Sequence, residues 1–107
     1  MTKPDPAPAH ASEIRREIKR STAFKRDFKR EKRGQHRSEV DTLLSEVLLM
    51  LAADKPLPAA NKDHPLTGEW VGYRDCHLKP DLLLIYGKPD AKTLDLARLG
   101  SHSELFG

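Results

Sequence analysis

Four short segments of the 107-residue chain hold nearly every group able to do polar chemistry. They are Lys62-Asp63-His64-Pro65-Leu66, Gly72-Tyr73-Arg74-Asp75-Cys76-His77, Pro80-Asp81 and Arg98-Leu99-Gly100-Ser101-His102. Imidazole is suited to proton transfer near neutral pH. A guanidinium can neutralise a phosphate whose charge grows in a transition state. A base, an acid and a cationic clamp are what cleavage of RNA through the ribose 2′-hydroxyl requires. If strand ends converge, His77, Asp81 and His102 meet at one side of a sheet, and the cluster then permits this chemistry without demanding it.

Each part also has a plainer explanation. Asp63 and Asp81 lie beside or near proline in turn-like surroundings. Trp70 and Tyr73 suit the start of a strand. Cys76 reads as a small buried hydrophobe. Lys62, Arg74 and Arg98 have stems long enough to lie along apolar surface with their charges in water. A metal site from His64, His77 and Asp81 ranks below both readings, because the spacings match no zinc pattern. There is no phosphate-cradling glycine loop, no G-x-S-x-G elbow and no H-E-x-x-H helix. No metal and no cofactor is expected.

Positioning these groups falls to a small set of elements. The proline-rich start, residues 1–15, reads as a disordered lead-in. Residues 16–21 suit an edge strand better than the first turn of a helix. Thr22 is the expected N-cap of a helix that pairs Phe24 with Phe28, reaches Arg33 and stops at Gly34. Its other faces carry Lys25, Arg26, Lys29, Arg30, Lys32 and Arg33. Ser38 and Asp41 resemble a capping box before Val40, Leu43, Leu44, Val47, Leu48 and Leu51, which recur at helical spacing. That helix must end near Asp54, because Pro56 and Pro58 cannot continue it. The short link between the helices predicts an antiparallel hairpin.

After an irregular loop over 56–69, turn residues delimit three predicted strands, 70–77, 82–87 and 93–100. Leu82-Leu83-Leu84-Ile85 is apolar at every position, as a central strand covered on both faces would be. The expected fold is α+β: a helical hairpin packed on a small antiparallel sheet, a three-strand meander with an N-terminal edge strand. Strict alternation would place Arg98 with Leu94 and Leu96, so a functional Arg98 must emerge near Gly100 or follow a bulge.

Composition bounds the whole. Hydrophobic residues make up 37% and charged residues 33%, enough for a small core in a heavily solvated shell. The apolar runs at 47–53 and 82–85 are too short to span a bilayer, and no apolar signal core follows Met1. One cysteine excludes an internal disulfide, so a soluble cytoplasmic protein without a membrane partner is expected. Residues 1–37 carry 12 Lys/Arg against 5 Asp/Glu, whereas residues 38–107 carry 7 against 11. That basic half is either a solvated helix face or a surface for an anionic partner.

The ordered run Leu57-Pro58, Lys62-Asp63-His64-Pro65-Leu66, Gly68, Trp70, Gly72-Tyr73-Arg74-Asp75, His77 and Pro80-Asp81 closely resembles the YafQ-type toxins of the RelE/ParE superfamily. Leu83-Leu84-Ile85-Tyr86, Arg98, Gly100, His102 and Leu105-Phe106-Gly107 continue the resemblance, which covers residues 16–107 as one domain. It implies a RelE-like fold and a ribosome-dependent, metal-independent mRNA endonuclease acting in the ribosomal A site. The family's functional positions match His64, His77, Asp81, Arg98, His102 and Phe106. Proton transfer falls to His102 with Asp81 or His77, the scissile phosphate to Arg98, and base stacking to Phe106. Ribosomal RNA would be held by Lys25, Arg26, Lys29, Arg30, Lys32, Arg33, Lys62 and Arg74. The implied partners are the ribosome with its mRNA and a cognate antitoxin, in a hetero-oligomeric complex. One departure is Leu82, where relatives carry tryptophan. The superfamily's gyrase-poisoning members supply the competing, non-catalytic reading, and His64, His77 and His102 argue against it.

Overall fold

A computed structural model describes residues 15–107; the expected disordered lead-in lies outside the described residues apart from Arg15. The chain runs β1 (Glu17–Arg20), α1 (Thr22–Glu31), α2 (Val40–Ala52), β2 (His64–Pro65), β3 (Arg74–Lys79), β4 (Leu82–Gly87), β5 (Thr93–Gly100) and α3 (His102–Phe106). The five strands form one sheet in the order β1-β5-β4-β3-β2. β4 is its middle strand and is buried at all six positions, which is why its sequence shows no alternation.

Alternation along β4 divides the interior in two. Leu82, Leu84 and Tyr86 join Phe24 of α1 and Val40, Leu44, Val47 and Leu51 of α2 in the larger core. Leu83 and Ile85 point to the opposite face and pack with Leu105, Leu66, Trp70 and Tyr73. Leu82 is fully buried in the larger core, where its side chain packs and cannot reach RNA. Cys76 is likewise buried there, and burial pushes its thiol up to about 12, which makes it unreactive.

Several local expectations are corrected. The cap of α1 is Ser21, not Thr22: its Oγ accepts from the Phe24 N–H at 2.9 Å and donates to the Ala97 carbonyl at 2.8 Å. That helix stops at Glu31, before Arg33 and Gly34, with Lys32 at its C-cap. Ser38 and Asp41 form no capping box; Glu39 stands at the cap but its side chain accepts from Lys79 rather than capping the helix, and Asp41 pairs with Lys32 instead. β1 is the expected edge strand, but it runs parallel to β5, so the sheet is mixed rather than antiparallel. β3 begins at Arg74, not at Trp70, because Gly68 and Gly72 adopt φ of 65° and 93° and curl residues 68–72 into a turn. The loop over 56–69 contains β2, two residues that pair with β3.

Candidate active site

Strand register assembles the site. His64 of β2 stands opposite Asp75 of β3, and Asp75 stands opposite Ile85. His77 stands opposite Leu83, and Leu83 opposite Gly100. Paired residues share a sheet face, so His64, Asp75 and His77 lie on the Leu83/Ile85 side, away from α1 and α2. Ser101 then starts α3 with a capping box: its Oγ accepts from the Glu104 N–H, and Glu104 Oε1 accepts from the Ser101 N–H at 2.8 Å. Leu105 anchors this short helix on Leu83 and Ile85. His102 and Phe106, one turn apart, border the cleft that results, with ring centroids 5.4 Å from each other. The cleft encloses about 430 Å³, and His64, Leu66, Trp70 and Asp75 form its other principal walls. The His77 and His102 rings are 6.4 Å apart.

Asp75 stands opposite His64 and feels the charge of all three histidines, and sequence reasoning did not single it out. It is 2% exposed, and its Oδ1 has no hydrogen-bond partner. Burial raises its pKa, while His64, His77 and His102 pull it back down. The His64 Nδ1 lies 3.3 Å from Asp75 Oδ1 and 2.7 Å from the Lys62 carbonyl oxygen. A carbonyl only accepts, so in neutral His64 the hydrogen sits on Nδ1 and the lone pair on Nε2. Lys62 presents that carbonyl from a left-handed conformation, φ 49°. The i, i+2 relation of Asp75 to His77 within a strand was the sequence signal for a shared face.

The remaining candidates take other places. Asp81 Oδ1 accepts from the His102 backbone N–H at 3.0 Å and so ties the β3–β4 turn to α3. Arg98 follows a bulge: Tyr86 pairs with Leu96 and Ile85 with Arg98, which leaves Ala97 as the extra residue. The bulge puts Arg98 on the Ile85 side, yet its guanidinium binds Asp27 of α1 and does not line the cleft. Lys25, Arg26, Lys29, Lys32 and Arg33 are exposed on α1 and the turn after it, as is Lys62 in its loop. Arg30 is half-buried, spanning Asp27, Glu31, Glu104 and the Leu99 carbonyl. Arg74 stands opposite Tyr86 on the helix side and pairs with Asp63 at 3.1 Å. Asp63 is more than a turn residue, because its Oδ1 also accepts from the Tyr86 hydroxyl at 2.6 Å. Among the described residues no cluster of three His, Cys, Asp or Glu side chains is arranged to hold a metal ion.

Residues 16–107 match the family described as "Bacterial toxin of type II toxin-antitoxin system, YafQ". The chain is 42% identical over 95 residues to the mRNA interferase toxin YafQ of Escherichia coli K12, covering 88% of this chain and 99% of the relative. The fold is similar to the crystal structure of YafQ from E. coli BL21(DE3), with a TM-score of 0.74, 40% identity and coverage of 86% and 99% of the two chains. It is equally similar to the toxin chain in the crystal structure of the E. coli DinJ-YafQ toxin–antitoxin complex, with a TM-score of 0.74, 41% identity and coverage of 88% and 100%.

Proposed function

The chain belongs to the YafQ family of toxins from type II toxin–antitoxin systems, and from that premise we propose that it is an endoribonuclease that cuts mRNA on the ribosome. The observation that carries this reading is that His64 and His102 face one cleft beside the buried Asp75, with the His77 ring 6.4 Å from that of His102. The base removes the ribose 2′-hydroxyl proton, and the resulting oxygen attacks the adjacent phosphorus. The bond from phosphorus to the 5′-oxygen breaks, and the acid protonates that oxygen. The products are a 2′,3′-cyclic phosphate and a 5′-hydroxyl. Every step is a proton transfer or a displacement, and no metal is required.

His102 is one of the two proton-transfer groups. His64 or His77 is the other, and the lone pair on His64 Nε2 suits the base. Asp75, 3.3 Å from the His64 Nδ1, stabilises the imidazolium that forms. Asp81 acts through the backbone of His102, holding α3 in place. Phe106, 40% exposed at the rim, stacks on a base of the message. Arg98, on the same sheet face as the cleft but outside its wall and held by Asp27, neutralises the phosphate of the bound message. The exposed cations of α1 dock ribosomal RNA, and a cognate antitoxin, by analogy with DinJ and E. coli YafQ, neutralises the toxin in the cytoplasm.

The test maps mRNA 5′ ends in a translation extract, with naked mRNA as control. Wild type should yield ribosome-dependent cuts bearing 5′-hydroxyls in magnesium-replete buffer, unaffected by a chelator selective for transition metals. His102→Ala should reduce cutting by roughly 10²-fold or more. Cutting of naked RNA at the same rate would overturn ribosome dependence, and unimpaired cutting by His102→Ala would overturn the site.

A further inference from the structure

We infer that Asp27, a residue of α1 outside the cleft, is the positioning residue that orients Arg98 for the scissile phosphate. This rests on the reading of Arg98 given above and extends the active site to a helix on the far side of the sheet.

Asp27 is 3% exposed, in the middle of a helix whose neighbouring residues are strongly basic. A buried carboxylate is costly unless hydrogen-bonded and paired, and Asp27 is both. Its Oδ2 accepts from Arg98 Nε at 2.7 Å and from the Leu99 backbone N–H at 2.9 Å. Its Oδ1 accepts from Arg98 Nη2 at 3.2 Å and Arg30 Nη1 at 3.0 Å. Burial alone would raise its pKa, but Arg98 and the Leu99 N–H bring it below the usual carboxylate value.

The arrangement has a purpose beyond filling hydrogen bonds. β1 pairs with β5 only as far as Leu96, so among the described residues the outer edge of β5 past the bulge lacks a strand partner. Asp27 takes the Leu99 N–H and Arg30 the Leu99 carbonyl, which closes that edge. Edge closure needs one acceptor and one donor. It does not need the second, two-point contact with the Arg98 side chain. That contact grips the guanidinium by its Nε and Nη2 edge, and the planar fork leaves both Nη1 hydrogens outside the pair. The carboxylate is shared with Arg30, so positive charge remains on the Arg98 side. A long, flexible side chain is thereby held in one orientation before any anion arrives, which is how an electrostatic contact becomes effective in a transition state.

The experiment is a double-mutant cycle on the full chain, measuring single-turnover cleavage of ribosome-bound mRNA at saturating toxin, alongside thermal unfolding. Asp27→Asn retains an acceptor for the Leu99 N–H and loses the grip on Arg98. In the wild-type background it should slow the chemical step by roughly 10²-fold while leaving the half-saturating toxin concentration within about threefold. In an Arg98→Ala background it should cost less than about threefold, because nothing remains to orient. If Asp27→Asn does not fold, Asp27→Glu, which keeps the charge and displaces it by one methylene, goes through the same cycle with the same expectation of non-additivity. Equal losses in both backgrounds, or an Asp27 variant that cuts at the wild-type rate, would overturn the inference alone. An Arg98→Ala chain that cuts at the wild-type rate would remove the reading of Arg98 and this inference with it.

Discussion

Asp75 carries the tension between stability and chemistry in a single side chain. Its carboxyl is raised by burial, so the folded chain holds that proton more tightly than the unfolded chain does. The ionised form therefore weakens the fold at pH values above its folded pKa, and the penalty fades as pH falls through that value. Asp75→Asn removes the charge from the same volume. Its melting temperature at pH 7 should equal or exceed that of wild type, with the difference shrinking in acid. The same variant should cut ribosome-bound mRNA slower by roughly 10²-fold, since nothing then balances a protonated His64. Melting curves at pH 7 and pH 4, read beside cleavage rates, check both halves. A variant that is both less stable and fully active would contradict the role assigned to Asp75.

At the scale of elements, the entry to β1, the end of α2 and the β4–β5 turn meet at Asp54. Arg16, just before β1, donates to its Oδ1 at 2.8 Å, and Lys88 of the turn donates to the same oxygen at 2.6 Å. Those two hydrogen bonds hold its pKa at about 2. A depressed carboxylate contributes stability that is fully present above its unfolded value, near 3.9, and is lost as pH falls towards the folded one. Asp54 is about half-exposed, and screened surface pairs contribute about 0.2–1 kcal/mol. Asp54→Asn tolerates the left-handed backbone there, φ 58°, so only the charge is lost. Urea unfolding should find the variant less stable by at most about 1 kcal/mol at pH 7, with the difference shrinking in acid and vanishing as pH falls through the folded value.

For the whole molecule, the asymmetry of charge sets how it meets a polyanion. The basic half places Lys25, Arg26 and Lys29 on the exposed faces of α1, while the cleft lies across the sheet. Binding through these cations releases counterions, so affinity for ribosomes should fall linearly in a log–log plot against salt. Replacing Lys25, Arg26 and Lys29 together by alanine should flatten that slope by about 2–3 units. Cleavage at saturating toxin should stay unchanged, because none of the three touches the cleft. Sedimentation with purified ribosomes across a salt series measures the slope. An unchanged slope would show that α1 does not face the RNA.

The sequence by itself determined what local chemistry can determine. Apolar residues at helical spacing and the proline stop defined α2, while β4 and β5 had their limits written in turn residues and unbroken hydrophobicity. The ordered motifs from Leu57 to Gly107 were enough to identify the family. Tertiary structure decided the rest. β2 is two residues long, too short to show a period, and it exists only because β3 offers an edge. Arg98 could not be placed by alternation, since the bulge at Ala97 resets the phase of β5 and appears only when Ile85 and Tyr86 are paired across from it. Asp75 read as one carboxylate among several until register placed it opposite His64, on the face that also carries His77. Asp27 carries no local signal in its basic helix, and its meaning lies in Leu99 and Arg98, more than seventy positions away in the chain. Periodicity and turn chemistry act over a few residues and are legible in order; register, bulges and edge closure are satisfied between distant segments, where only the folded chain brings donor and acceptor together.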